Sequence, residues 1–392
     1  MNIPSRSRPV LAALVLSLAA APAAAQESGG FVLRLGRDTM VVEEFTRTAE
    51  AITGTLVSRS PRTTVRTYTA ALRPDGTVSR LEMTTRIPAA PAILPQTVTI
   101  VMGADSAEVR VVRGDTVRET RMATGPGAFP WVGNSYALAE PVIRAAAARG
   151  VDSAAVTVVQ AGARAASTVS IIRRGADSVR IRSAPGVAQV RTDAQGRVLG
   201  GDSPESTFKA SIERVPSLDV AMIAAEFARR DAAGQSLGTL SPRDSVVAAV
   251  GAANVSVAYG RPSMRGRRIM GQVVPFGQVW RTGANEATSF RADGDVMIGG
   301  LLVPAGSYTL WSVPAADGWT LILNRQTGQW GTVYDAAQDL ARIPVRAEIV
   351  EGEPVEQLTM RFEPATTGAA LVIAWENTNV IVPITVVTTV AP

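Results

Sequence analysis

The chain of 392 residues is 46% hydrophobic and 19% charged, a globular balance that excludes a long disordered or collagen-like polymer. It contains neither histidine nor cysteine, which excludes a Ser-His-Asp triad, a cysteine nucleophile, His/Cys zinc sites, thiolate clusters and disulfides. The formal net charge is +5, but the basic residues are dispersed among acids with no run longer than two. The clustered footprint of a nucleic-acid binder is therefore missing, and no nucleic-acid partner is expected.

The first segment reads as a leader. Arg6 and Arg8 precede an apolar run from Val10 to Ala21, followed by Pro22 and Ala23-Ala24-Ala25. A basic start, a short apolar stretch and an Ala-x-Ala ending mark residues 1–25 as a cleaved secretory signal, with Gln26 as the mature start. The run is shorter than the roughly 20 apolar residues of a membrane span, and no later stretch reaches that length. The expected location is the periplasm or the exterior, with no transmembrane segment after cleavage. The basic residues are arginine except for Lys209.

Residues 26–230 read as an antiparallel β domain. Val65 to Ala70 and Thr77 to Met83 alternate around Pro74-Asp75-Gly76, a hairpin signal because glycine supplies the positive φ of the turn. Alternation returns at Glu108 to Val112, Thr116 to Arg118, Ser167 to Ile172, Ser178 to Ile181, Ala188 to Arg191 and Gly196 to Leu199. A large sheet with one covered face follows. Leu138 to Arg149 and Asp219 to Arg230 carry apolar residues at helical spacing. Phe129, Trp131 and Tyr136 crowd one short stretch, either as a binding lip at the sheet mouth or as a plug closing its end. In architecture this half resembles curved-sheet periplasmic carriers of the half-barrel kind, although no specific motif carries that likeness.

Residues 231–243, small, polar and bearing Gly and Pro, read as a linker. From 244 to 392 the composition shifts toward tryptophan and short strands about ten residues apart, the pattern of a β-sandwich or jelly roll. The order here is distinctive. Val255-Ser256-Val257-Ala258-Tyr259-Gly260-Arg261-Pro262-Ser263 leads through Arg265-Gly266-Arg267-Arg268 to Trp280-Arg281-Thr282-Gly283-Ala284-Asn285-Glu286-Ala287-Thr288, then to Pro304-Ala305-Gly306 and Gln329-Trp330-Gly331. It resembles an exported bacterial family known only as domain of unknown function 2911, over about Ser245 to Val386. The resemblance implies a domain boundary and no activity.

The residues themselves suggest more. Gly283 permits a tight turn and Asn285 can bond backbone groups in it. Arg281 and Glu286 can then face each other beside Trp280, with Arg261 as a third member. Three readings follow. In one, the cluster is scaffold. In another, Arg261, Trp280, Arg281, Asn285 and Glu286 line a pocket for a polar, anionic or sugar-like ligand, since arginine forks suit carboxylate and phosphate. In the third, Glu286 works as a general acid or base with Asp335 as the second carboxylate of a His-free hydrolase. No calcium loop or nucleotide-cradling glycine loop is present, and Asp293-Gly294-Asp295 is hairpin punctuation, so no metal or cofactor is expected. The sequence favours a mainly β, two-domain, non-catalytic binding protein for a small polar ligand or an envelope partner. A hydrolase or a structural interaction module is the alternative.

Overall fold

The computed structural model describes residues 26–183, 186–205, 208–316 and 318–387. The expected leader, residues 1–25, lies outside them. Among the described residues no helix is long and apolar enough to cross a membrane.

In the N-terminal half, eight strands from Glu27–Leu35 to Thr116–Ala123 form a meander, each antiparallel to the one before. A second meander starts at Ser153–Val159 and returns until its last strand, Ser211–Val215, pairs with the first, Gly30 opposite Val215. The result is a fifteen-stranded sheet. The expected hairpin is realised as Thr64–Leu72 and Val78–Arg86, with Tyr68 opposite Met83. Because side chains alternate along each strand, Phe31, Leu33 and Leu35 join one core while Val32 joins another on the opposite face.

The helices occupy those two faces. Helix α1 (Tyr136–Ala147) packs into the larger core. It begins two residues before the sequence pattern because the Ser135 hydroxyl caps it, accepting from the Leu138 N–H at 3.3 Å. Helix α2 (Val220–Ala232) covers Val32, Val42, Val57 and Val65, capped by the Asp219 side chain. Of the aromatic trio, Phe129 and Tyr136 are core residues, so the plug reading holds for them. Trp131 stays half-buried beside a cavity.

Two buried carboxylates lock α1 to the sheet. Glu43 accepts from Tyr68 and Ser135 hydroxyls at 2.8 and 2.5 Å and from the Tyr136 and Ala137 N–H groups at 2.9 and 3.2 Å. It thereby supplies from inside the protein the anion that a helix N-terminus attracts. Complete burial raises its pKa and the four hydrogen bonds oppose that shift. Glu140 accepts from Arg47 at 2.5 Å, Arg214 at 2.8 Å and the Val198 N–H at 2.8 Å. Pro141 cannot donate to the Ala137 carbonyl, and Arg47 Nη2 does so instead at 3.0 Å.

The C-terminal half holds eleven strands in one sheet. It folds back so that Arg243–Val250 meets Val355–Ala365 and Gly368–Glu376, giving a nearly closed sandwich. Between the halves, residues 233–242 contain neither helix nor strand. The halves touch directly: the Arg37 N–H donates to the Arg265 carbonyl at 3.0 Å, and Arg265 pairs with Asp38 at 2.6 Å.

Candidate functional site

The distinctive string from Trp280 to Thr288 is a pinned loop and not a simple hairpin turn. Trp280 exchanges two backbone hydrogen bonds with Ser312, at 2.7 and 2.8 Å. At the other end, the Gly331 N–H donates to the Asn285 carbonyl at 2.8 Å and the Ala287 N–H to the Gln329 carbonyl at 3.1 Å. Between these anchors Thr282 and Asn285 take left-handed backbone angles, φ 50° and 63°. Arg281 consequently turns inward and Glu286 outward. The expected Arg281–Glu286 pair does not form. Glu286 is exposed and pairs with Arg243.

Gly331 makes room for the inward arginine. A methyl group there would collide with Arg281 Cδ and the Asn285 carbonyl oxygen. This is the physical reason for a glycine after Gln329-Trp330.

Arg281 opens onto a cavity of about 230 Å³ between the two halves. The first half contributes Leu35, Phe208 and Lys209; the second contributes Ser263, Arg265, Arg267, Trp280, Arg281 and Asn285, with Trp375 behind. Trp280 stacks on Trp375 with ring centres 5.9 Å apart and meets Trp319 edge-on at 6.1 Å. One wall is therefore a rigid aromatic surface.

The opposite chemistry is cationic, and much of it lacks a counter-charge. Among the described residues, four basic residues line the cavity and no Asp or Glu does. Arg265 is neutralised by Asp38. Arg267 spends its guanidinium on the Met264 and Ser263 carbonyls at 2.9 and 2.8 Å. Lys209 donates to the Pro204 carbonyl at 2.7 Å. The Arg281 Nε–H is buried with no hydrogen-bond partner among the described residues. Burial pushes the Arg281 pKa down to about 10. Burial first, then repulsion from Arg281 and Arg267, pushes Lys209 down to about 8, with Glu205 opposing. Unpaired buried charge is expensive, and such perturbed groups concentrate where a ligand supplies the missing partner.

Of the five residues that the sequence singles out, the structure brings together Trp280, Arg281 and Asn285 at this cavity. Arg261 and Glu286 are not among its lining residues. Arg261 ties strands together through the Leu358 carbonyl, Asp244 and Thr359 at 3.1, 3.1 and 2.9 Å. Asp335 accepts from the Ala337 N–H at the start of a short 3-10 turn, and it does not line the cavity either. Lys209 escaped the sequence reading. Its one signal was being the lysine in an arginine-rich chain, and only the contact between halves gives that meaning.

Residues 241–384 match the sequence model of a family described as "Protein of unknown function (DUF2911)", and the N-terminal half matches no family. No curated protein matches the chain. Among solved structures, a DUF1089 family protein from Pseudomonas aeruginosa aligns with a TM-score of 0.32 and 13% identity, covering 43% of this chain and 91% of that one. Isotype 1 transferrin binding protein B from serogroup B Neisseria meningitidis aligns with a TM-score of 0.14 and 8% identity, covering 92% of this chain and 76% of that one. Likenesses this weak carry no argument.

Proposed function

We propose that the protein is a non-catalytic binding protein for a small anion with an apolar or aromatic body, held between the two halves. The single observation that carries this reading is the half-buried Arg281, whose buried Nε–H has no partner among the described residues, at a cavity that also presents Trp280. The anionic head would meet Arg281 and Lys209, with Ser263 and Asn285 as polar neighbours, and the body would lie against Trp280. The volume suits a one-ring or short-chain ligand, being at the small end of ligand cavities. A hydrolase reading has less support, since neither Glu286 nor Asp335 lines the cavity. Export of the chain, inferred from the leader, would put this site outside the cytoplasm. Mass spectrometry of the mature protein is expected to show a start at Gln26; a retained Met1 would contradict export by cleavage.

The test is calorimetric titration with phenyl phosphate, using phenyl glucoside as the neutral control. Phenyl phosphate should bind one per chain at pH 7 and the glucoside should not. Lys209 gives the pH signature. An anion pairs with the ammonium and not with the free amine, so affinity holds below about pH 8 and falls about tenfold by about pH 9. Without ligand the sign reverses. The depressed lysine loses its proton in the folded state first, the unfolded chain then binds more protons, and stability rises from about pH 8 to the ordinary lysine range. Lys209→Met should flatten both profiles; profiles unchanged by that substitution would place the lysine outside the site.

A further inference from the structure

The large N-terminal sheet ends on one side in an open edge. Its last strand, Thr116–Ala123, pairs with Ser106–Arg113 and with no other strand among the described residues. Thr116 to Arg121 are exposed throughout. The opposite end of the sheet is Phe129–Pro130, two residues long and buried. A sheet edge presents a row of free N–H and C=O groups, and proteins commonly blunt it with a proline, a bulge or a very short strand. Thr116–Ala123 uses none of these. It has eight residues, no proline and an unbroken register with its neighbour.

Register decides which backbone groups are free. The Thr124 N–H donates to the Asp105 carbonyl at 2.8 Å, and Arg113 stands opposite Thr116 across the two-residue turn Gly114-Asp115. Hydrogen-bonding direction alternates along an antiparallel strand. Thr116, Arg118, Thr120 and Met122 therefore spend their backbone groups on the neighbouring strand, and Val117, Glu119, Arg121 and Ala123 point theirs outward. A second copy of this strand, laid antiparallel, must oppose outward residues to outward residues. That puts the two-fold axis on a residue, and near the strand's middle the choices are Arg118, Glu119, Thr120 and Arg121. An axis on Arg118 or Arg121 sets two arginines face to face, and one on Glu119 sets two glutamates face to face. Like charges directly opposite are destabilising. An axis on Thr120 instead sets Glu119 opposite the partner's Arg121, twice. Within one chain Glu119 already stands opposite Arg110 and pairs with it at 3.1 Å, and Glu108 stands opposite Arg121. Pairing about Thr120 joins these into one row of alternating sign across four strands: Arg110, Glu119, the partner's Arg121 and the partner's Glu108.

We propose that Thr116–Ala123 is a self-pairing edge, through which two copies of the protein join antiparallel about Thr120. Main-chain hydrogen bonds supply the affinity of such strand addition and the opposed side chains set its register. On the other face of the pair, Thr120 meets the partner's Thr120 and Arg118 lies opposite the partner's Met122. The contact is isologous and uses up the free edge, so assembly stops at two. It is one strand wide, which makes it a small, reversible interface with a Kd of about 1–100 μM. The inference rests on strand register and charge in the first half and stands apart from the anion pocket between the halves.

The experiment reads mass and register together. Sedimentation equilibrium of the mature protein up to about 0.1 mM should show a reversible monomer–dimer equilibrium. The chain has no cysteine, so a single introduced one reports which residue sits on the axis. Of Arg118→Cys, Glu119→Cys, Thr120→Cys and Arg121→Cys, the Thr120 variant should cross-link fastest under mild oxidation, since opposed residues of a non-hydrogen-bonded pair lie within disulfide range. Glu119→Arg and Arg121→Glu, at exposed positions where folding is safe, should each weaken the dimer about tenfold or more. An equimolar mixture of those two variants should dimerise again, because each reversed residue then faces an opposite charge. A wild type still monomeric at about 0.1 mM, cross-linking that fails at Thr120→Cys or runs faster at another position, or a dimer indifferent to both charge reversals would each overturn the proposal.

Discussion

Arg281→Met is expected to raise the melting temperature of the ligand-free protein and to weaken phenyl phosphate binding about 10- to 100-fold. The two effects share one cause. Arg281 lines the same cavity as Trp280, with its Nε–H unpartnered among the described residues and its pKa pushed down by burial. Methionine fills a similar volume without a charge to desolvate. Replacing buried ion pairs by apolar side chains of like size is often neutral or stabilising by about 1–4 kcal/mol. An arginine with no counter-charge gives up still less, so a gain in that range, about 3–10 °C for a domain of this size, is expected. A hydrogen bond to a charged group contributes about 1.5–3 kcal/mol, so losing the arginine should weaken an anion about 10- to 100-fold. Differential scanning calorimetry and titration of the same variant check both. A variant that melts below wild type would mean the guanidinium is scaffold.

Glu140→Ala is expected to do the opposite, lowering stability steeply with no direct effect on phenyl phosphate binding. Its side chain is fully buried and ion-paired to Arg47 and Arg214, which also reach Glu27 at 3.0 and 2.6 Å. Removing it leaves Arg47 and Arg214 to share the partly exposed Glu27 alone, orphans the Val198 N–H and loosens the Arg47 side chain that satisfies the carbonyl freed by Pro141. Breaking such a buried pair costs about 3–5 kcal/mol, a melting-temperature loss of about 10 °C. Urea denaturation with far-UV and near-UV detection measures it. A loss below about 1 kcal/mol would show that the network adds little beyond the packing of α1.

The contrast between these two arginine environments shows what was legible from the sequence. Strand alternation around Pro74-Asp75-Gly76 and the helical spacing after Asp219 were visible because turn chemistry and periodicity are local. The importance of Trp280 and Arg281 was visible because the string around them is unusual. The direction of Arg281 was not, since it depends on left-handed angles at Thr282 and Asn285 and on space left by Gly331. An arginine five residues from a glutamate invites a pair, and the loop turns them apart. The rest of the pocket was hidden for a larger reason. Lys209 and Leu35 reach Trp280 only through docking of the two halves, and no spacing along the chain encodes that contact.

The central claim, that an anion completes the cationic pocket between the halves, is tested most directly by a crystal structure with bound p-bromophenyl phosphate. The account predicts a bromine anomalous peak beside the Trp280 indole and phosphate oxygens within hydrogen-bond reach of Arg281 Nε and Lys209 Nζ. A pocket without density at saturating ligand, or a ligand bound elsewhere with Arg281 still unpaired, would contradict it.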